Sequence, residues 1–113
     1  MINPTANLLE NLKAKTIKFV DVIATIEALY QYAPASFKNG TVFNDADQNQ
    51  GSAKVFSFAQ MHQLSAEQTL ILFAEHYQSV LETPEGNDHQ NIRQFMQNGW
   101  AGIEFGNQVL NAI

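Results

Sequence analysis

The sequence predicts a mostly α-helical single domain, α+β only at the margin, with one small β-hairpin near residues 36–43. Three observations predict it. Apolar residues recur at spacings of three and four through most of the chain. Capping residues stand ahead of these runs, as Ser65 does with Gln68 in an S-x-x-Q capping box. Strand-like sequence is confined to short pieces such as Thr41-Val42-Phe43, next to the turn pair Asn39-Gly40. The 113 residues suit one domain spanning 1–113, and no repeat, linker or low-complexity segment divides it. A chain of this size buries about two-thirds of its unfolded surface without help from metal or disulfide.

Each element follows from local chemistry. Thr5 caps a first helix over ANLLENLKAK, with Leu8, Leu9 and Leu12 on one side. Thr16 caps a longer helix, IKFVDVIATIEALYQY, whose stripe of Phe19, Val20, Ile23, Ile26, Leu29 and Tyr30 faces inward. Pro34 restricts Ala33 and ends that helix near Tyr32. PASFKNG reads either as one helical turn from Pro34 to Gly40 or as the start of a hairpin. The strand propensity of TVF favours the hairpin. Ser52 caps AKVFSFAQMHQ, with Val55, Phe56, Ala59 and Met61 inward. Ser65 opens AEQTLILFAEHYQSVL, which buries Leu70, Phe73, Tyr77, Val80 and Leu81. TPEG is a turn. Asp88 caps HQNIRQFMQN, where Ile92, Phe95 and Met96 face the core and Gly99 ends the helix in a left-handed conformation. WAGIEF is either extended or a loop pinned by Trp100.

Composition excludes several chemistries. The net charge is −5, and charged residues are only 15% of the chain. Polarity comes instead from 11 Asn and 11 Gln, which hydrogen-bond without strong fields. Residues 41–113 hold Lys54 and Arg93 against eight acids, so the basic footprint that nucleic acid requires is absent there. Lys13, Lys15 and Lys18 form a short cluster read as a solvated helix end. With no cysteine, disulfides, thiolate nucleophiles and Cys-ligated zinc are ruled out, which fits a reducing compartment. The N-terminal segment lacks the form of a secretory signal, and no apolar run is long enough to span a membrane. The expected location is the cytoplasm.

The stretch NDADQNQGS invites a calcium reading, since Asp45, Asp47 and Asn49 alternate as in an EF-hand loop. The sixth position is Gln50 instead of glycine, and the twelfth is Phe56, which cannot ligate. No calcium is assigned to the 45–56 loop, and no metal or cofactor elsewhere. His62, His76 and His89 form no H-E-x-x-H or i,i+4 pair. His89 stands out because Asp88 precedes it and Arg93 follows one helical turn later, on a stripe with Asn91. The candidate binding residues are Asn44, Asn49, Ser52, Lys54, Asp88, His89, Asn91, Arg93 and Trp100. Asn44, Asn49 and Ser52 serve as caps and donors. Lys54 and Arg93 are expected to contact an anion, and His89 to act as a polar switch. The expectation is that the 44–52 loop and the 88–93 helix start meet in space.

The segments IEALYQYAPASFKNG, NQGSAKVFSFAQ and PEGNDHQNIRQFMQNGWAGIEF together resemble the HopJ type III effector family, from about Thr16 to Val109. The last segment is the most specific, joining a turn, a cap, His89, Arg93 and Trp100 in one order. The resemblance implies a small bacterial domain and, through the family's name, delivery into a host cell by type III secretion. It supplies no catalytic mechanism, substrate or cofactor. The leading reading is a binding or interaction module for a protein or a small polar or anionic ligand. The alternatives are a small hydrolytic enzyme with His89 as general base and a secreted effector.

Overall fold

The chain opens with helix α1 (Pro4–Lys13) and helix α2 (Phe19–Leu29), then leaves helical geometry at strand β1 (Tyr30–Tyr32). The computed structural model describes residues 4–15 and 17–112, with Pro4, Thr5, Asn7 and Ala112 as backbone alone. Strands β2 (Phe37–Asn39) and β3 (Val42–Asn44) follow, then the long helix α3 (Gln50–Met61). Helices α4 (Ala66–Ile71), α5 (Glu75–Glu82) and α6 (Gln90–Asn98) come next. A 3-10 turn over Gly99–Gly102 leads into strands β4 (Ile103–Phe105) and β5 (Leu110–Ala112). The fold is mostly α with a small β component, as the sequence predicts. No helix among the described residues is long and apolar enough to cross a membrane.

Helix α3 lies at the centre. Ala53 and the whole run from Val55 to Ala59 are buried, so the helix has core on almost every side. Phe56 is the hub. Its ring meets those of Phe95 at 4.9 Å, Phe73 at 5.3 Å, Phe37 at 6.1 Å and Trp100 at 6.4 Å. These are tilted and edge-on arrangements, the geometries that aromatic quadrupoles favour.

The hairpin forms as predicted, one residue later than the turn pair suggests. Asn39 pairs with Val42, which leaves Gly40 and Thr41 as the loop. Gly40 has φ +61, and a Cβ there would run into the Gln94 and Asn98 side chains. Strand β4 adds to the other edge of β2, with Phe37 opposite Phe105 and Asn39 opposite Ile103. WAGIEF is therefore turn and then strand. Within β2 the burial alternates. Phe37 and Asn39 point into the core, while Lys38 faces out between Phe43 and Glu104.

Several expectations are corrected. Helix α2 starts at Phe19 and stops at Leu29, because Tyr30–Tyr32 pairs antiparallel with Leu110–Ala112. That long-range pairing outcompetes the helical pattern, which carries no trace of it. The expected Thr16 cap lies outside the described residues, and α1 already begins at Pro4, ahead of Thr5. Val20, Leu29, Met61, Leu81 and Met96 are exposed instead of inward, whereas Val22 is fully buried. The long helix expected from Ser65 breaks between Ile71 and Glu75. Ala74 there has φ 53 and ψ −125, a conformation strained for a residue with a Cβ. The break allows Leu70, Leu72 and Phe73 to be buried together, which a straight helix turning 100° per residue does not offer.

A buried amide cluster joins the hairpin to the last helix. Asn39, Asn44 and Asn91 are 0%, 1% and 6% exposed. Asn44 and Asn91 exchange amides, each Nδ2 donating to the other's Oδ1 at 3.1 Å. The Asn39 Nδ2 donates to the Asn91 backbone oxygen at 2.8 Å and to its Oδ1 at 3.1 Å. Asn49 adds a fourth amide, donating to Asn44 Oδ1 at 2.7 Å.

Asn91→Ala removes the partner of two buried amides, and we expect it to cost about 2 kcal/mol or more. It should lower the urea midpoint with little change in slope. Ala74→Gly should act in the opposite direction, raising stability by up to about 1 kcal/mol, because glycine adopts positive φ freely.

Candidate functional site

Helices α3 and α6 begin in the same unusual way. An N-cap residue is normally extended and turns a side-chain oxygen back onto the first N–H groups. Here the two cap positions are Asn49 (φ 49, ψ 40) and His89 (φ 49, ψ 48), both left-handed and neither making a side-chain cap. The amide of Asn49 is engaged by Asn44. Ser52 and Asp88, the expected caps, occupy neither position. Ser52 lies inside the first turn of α3, and Asp88 precedes the cap of α6. In consequence the backbone N–H groups of Gly51, Ser52, Gln90 and Asn91 carry no hydrogen bond among the described residues.

These two helix starts open on one cleft of about 340 Å³. Asn49, Ser52, His76, His89, Gln90 and Asn91 line its polar part, over Phe19, Phe73 and Ile92. The 44–52 loop and the start of α6 therefore do meet. The rings of His76 and His89 lie 5.2 Å apart, and Phe19 holds His76 edge-on at 4.8 Å. Next to them, Glu75 accepts a hydrogen bond from the Phe19 N–H at 2.7 Å. Burial acts to raise the Glu75 pKa. The backbone hydrogen bonds and the charges of His76 and Lys18 outweigh it and bring the carboxyl below its ordinary value.

The pattern of the HopJ type III effector protein matches residues 5–110, nearly the whole chain. The chain belongs to the HopJ type III effector family. The HopJ domain is also similar to the crystal structure of the unknown-function protein VPA0580, which is 43% identical. That match has a TM-score of 0.88 and covers 96% of this chain and 92% of the other. No curated protein matches the chain.

Other residues singled out in the HopJ sequence have structural partners away from the cleft. Arg93, expected to meet an external anion, is a brace. Its Nη2 donates to Asp88 Oδ1 at 2.7 Å, its Nε to the Asp88 carbonyl at 2.6 Å, and its Nη1 to the Thr83 carbonyl at 2.9 Å. The guanidinium side chain is 11% exposed and its fork is used to hold the 83–88 loop. Lys54 likewise does not reach the cleft. It lies over the Tyr32 ring at 4.2 Å and 3.8 Å from Glu27. Trp100 donates from Nε1 to the Leu64 carbonyl at 3.0 Å and packs on Phe95 at 5.0 Å. Asn44 sits beneath the cleft in the amide cluster, while Asn49, Ser52, His89 and Asn91 line it directly.

His76, which in the sequence reads as a boundary residue beside the apolar face of Phe73 and Tyr77, lines the cleft. It stands 13 positions before His89, without helical spacing, and only the break at Ala74 brings its ring across. Asn39, a turn residue by sequence, is buried in the cluster. Among the described residues no group of three or more His, Cys, Asp or Glu could hold a metal ion.

The Arg93 hydrogen bond is the largest cause that lowers the Asp88 pKa below its ordinary value of 3.8. A depressed carboxylate contributes stability above its unfolded pKa and loses it as pH falls through the folded one. The difference in stability between wild type and Asp88→Asn should thus hold constant at neutral pH and shrink as acid carries the protein below the ordinary aspartate value. Urea midpoints across that range check the sign.

Proposed function

We propose that this HopJ domain is a binding module for a small anionic ligand, a phosphate or carboxylate group seated between the starts of α3 and α6. One observation carries the reading: two helix N-termini, both without side-chain caps, converge on a cleft that also presents two imidazoles. Each helix start offers free N–H donors and the positive end of its dipole. A protonated imidazole adds a further donor and charge. The cleft volume of about 340 Å³ suits a small polar molecule. The amide cluster beneath fixes both helix starts, so the donors are held in position before any ligand arrives.

The test is an amide NMR titration of the whole chain with inorganic phosphate and with acetate. Saturable shifts at Gly51, Ser52, Gln90 and Asn91 are expected. The double variant His76→Ala, His89→Ala should weaken phosphate by about tenfold while remaining folded. Shifts absent from these four amides, or confined to Lys13–Lys18, overturn the reading.

The imidazole pair also favours a second reading, hydrolysis with His89 as general base, since one ring can accept a proton while the other donates. Support for it stops at the orienting group. Asp88 Oδ2 is 4.0 Å from His89 Nε2, beyond hydrogen-bond distance, and its other oxygen is held by Arg93. Turnover of a p-nitrophenyl ester or phosphate that disappears in His89→Ala would establish this reading in place of simple binding.

The family's name suggests type III export, and the proposed site of action is the bacterial cytoplasm. Helix α1 supports that choice, because Leu8 and Leu12 are buried in the core and its residues are used by the fold. A reporter fused to the first ~15–30 residues, the length of ordinary targeting segments, is expected to stay in the cell. Export of the reporter would assign the domain to host delivery.

A further inference from the structure

We propose a second ligand site, independent of the polar cleft: the hollow between α1 and the α4–α5 break binds a single amphipathic carboxylate, a medium-chain fatty acid. Its volume is about 590 Å³, and Leu12, Ile17, Ile71, Tyr77 and Leu81 form its apolar walls. That volume falls within the range of small-molecule pockets.

The helix break makes the hollow. Ala74 lines it, in the strained conformation φ 53, ψ −125. Strain of this kind is stored where the surrounding structure requires a particular shape. On the α5 side, Leu81 is 47% exposed and faces the hollow. An apolar wall left in contact with water gains free energy when a hydrocarbon chain covers it.

Charge complementarity selects the head group. Lys13, Lys15 and Lys18 line the hollow, three of the six basic residues in a chain of net charge −5. Among the described residues none of their ammonium groups lies within 4.0 Å of a carboxylate, and Asp21 meets Lys18 only through its backbone N–H, at 2.9 Å. Glu75 and Glu82 line it as well. Glu75 is tied to the Phe19 N–H and Glu82 lies 3.2 Å from Gln78. The Lys18 charge also acts on Glu75, and three lysines against two glutamates leave the lining with a positive balance that attracts a carboxylate head. A helical partner is disfavoured. Groove binding needs a row of apolar anchor points, and of the six large exposed hydrophobic residues only Leu81 borders the hollow.

The experiment is calorimetric titration of the full chain with dodecanoate below its micellar concentration, with dodecanol and an acidic amphipathic peptide alongside. One-to-one binding of dodecanoate is expected, weakened by about tenfold in Lys15→Glu, Lys18→Glu and by added salt. Leu81→Asp should abolish it. His76→Ala, His89→Ala should leave it unchanged, which separates this site from the polar cleft. Thermal midpoints of each variant report that the fold is intact. Equal affinity for dodecanol, full binding by Leu81→Asp, or preference for the peptide would overturn the assignment.

Discussion

The reciprocal amide pair between Asn44 and Asn91 is the constraint on which the rest depends. It joins the end of the hairpin to the start of α6 at two 3.1 Å hydrogen bonds. Through Asn49 the same carbonyl oxygen also fixes the entry to α3. The hairpin and α3, neighbours in sequence, therefore share one polar knot with the distant α6. Buried amides are costly when unpartnered, so a satisfied cluster discriminates strongly against alternative packings. The cluster is not complete, since Oδ1 of Asn39 has no donor among the described residues.

That knot explains why the polar cleft has the shape it has. With the Asn49 side chain engaged below, nothing caps α3 from within. Arg93 draws Asp88 away from α6 in the same manner, and His89 takes the cap position in a left-handed conformation. Donors that a protein usually satisfies internally are left facing a shared space. Two side chains with good capping chemistry are diverted into structural work, and the helix starts remain open as a result.

Much of the architecture was legible in the sequence, for identifiable reasons. Helices with strong periodicity and the Ser65–Gln68 box follow local rules, and the structure has both box hydrogen bonds. The hairpin was readable from Asn39-Gly40 and TVF. Strands β1 and β5 were not, because they pair across most of the chain and β1 continues the apolar pattern of α2. The break at Ala74 was hidden for a related reason. No glycine or proline marks it, and burial of Leu72 and Phe73 overrides local preference. At the candidate site, Asn49, Ser52, His89 and Asn91 were legible as polar residues in a turn or at a helix start. His76 was not, because its approach depends on that unmarked break. Arg93 and Lys54 were legible as cations, but their partners at Asp88, Thr83, Tyr32 and Glu27 are matters of three-dimensional placement.

The strand order has a consequence for how the protein comes to exist. Strand β2 receives one neighbour locally, at Val42–Asn44, and the other only at Ile103–Phe105. Strand β1 waits still longer, for Leu110–Ala112. Contacts of such high sequence separation close late, because loop entropy must be overcome before they form. On the ribosome the N-terminal half therefore emerges with two of its sheet edges unpaired and with α3 lacking the walls contributed by Phe95 and Trp100. Native pairing of β1 and β2 is completed only once residues 103–112 are available. Until then its unpaired strand edges and uncovered apolar surface are the features that make a partly folded chain prone to association.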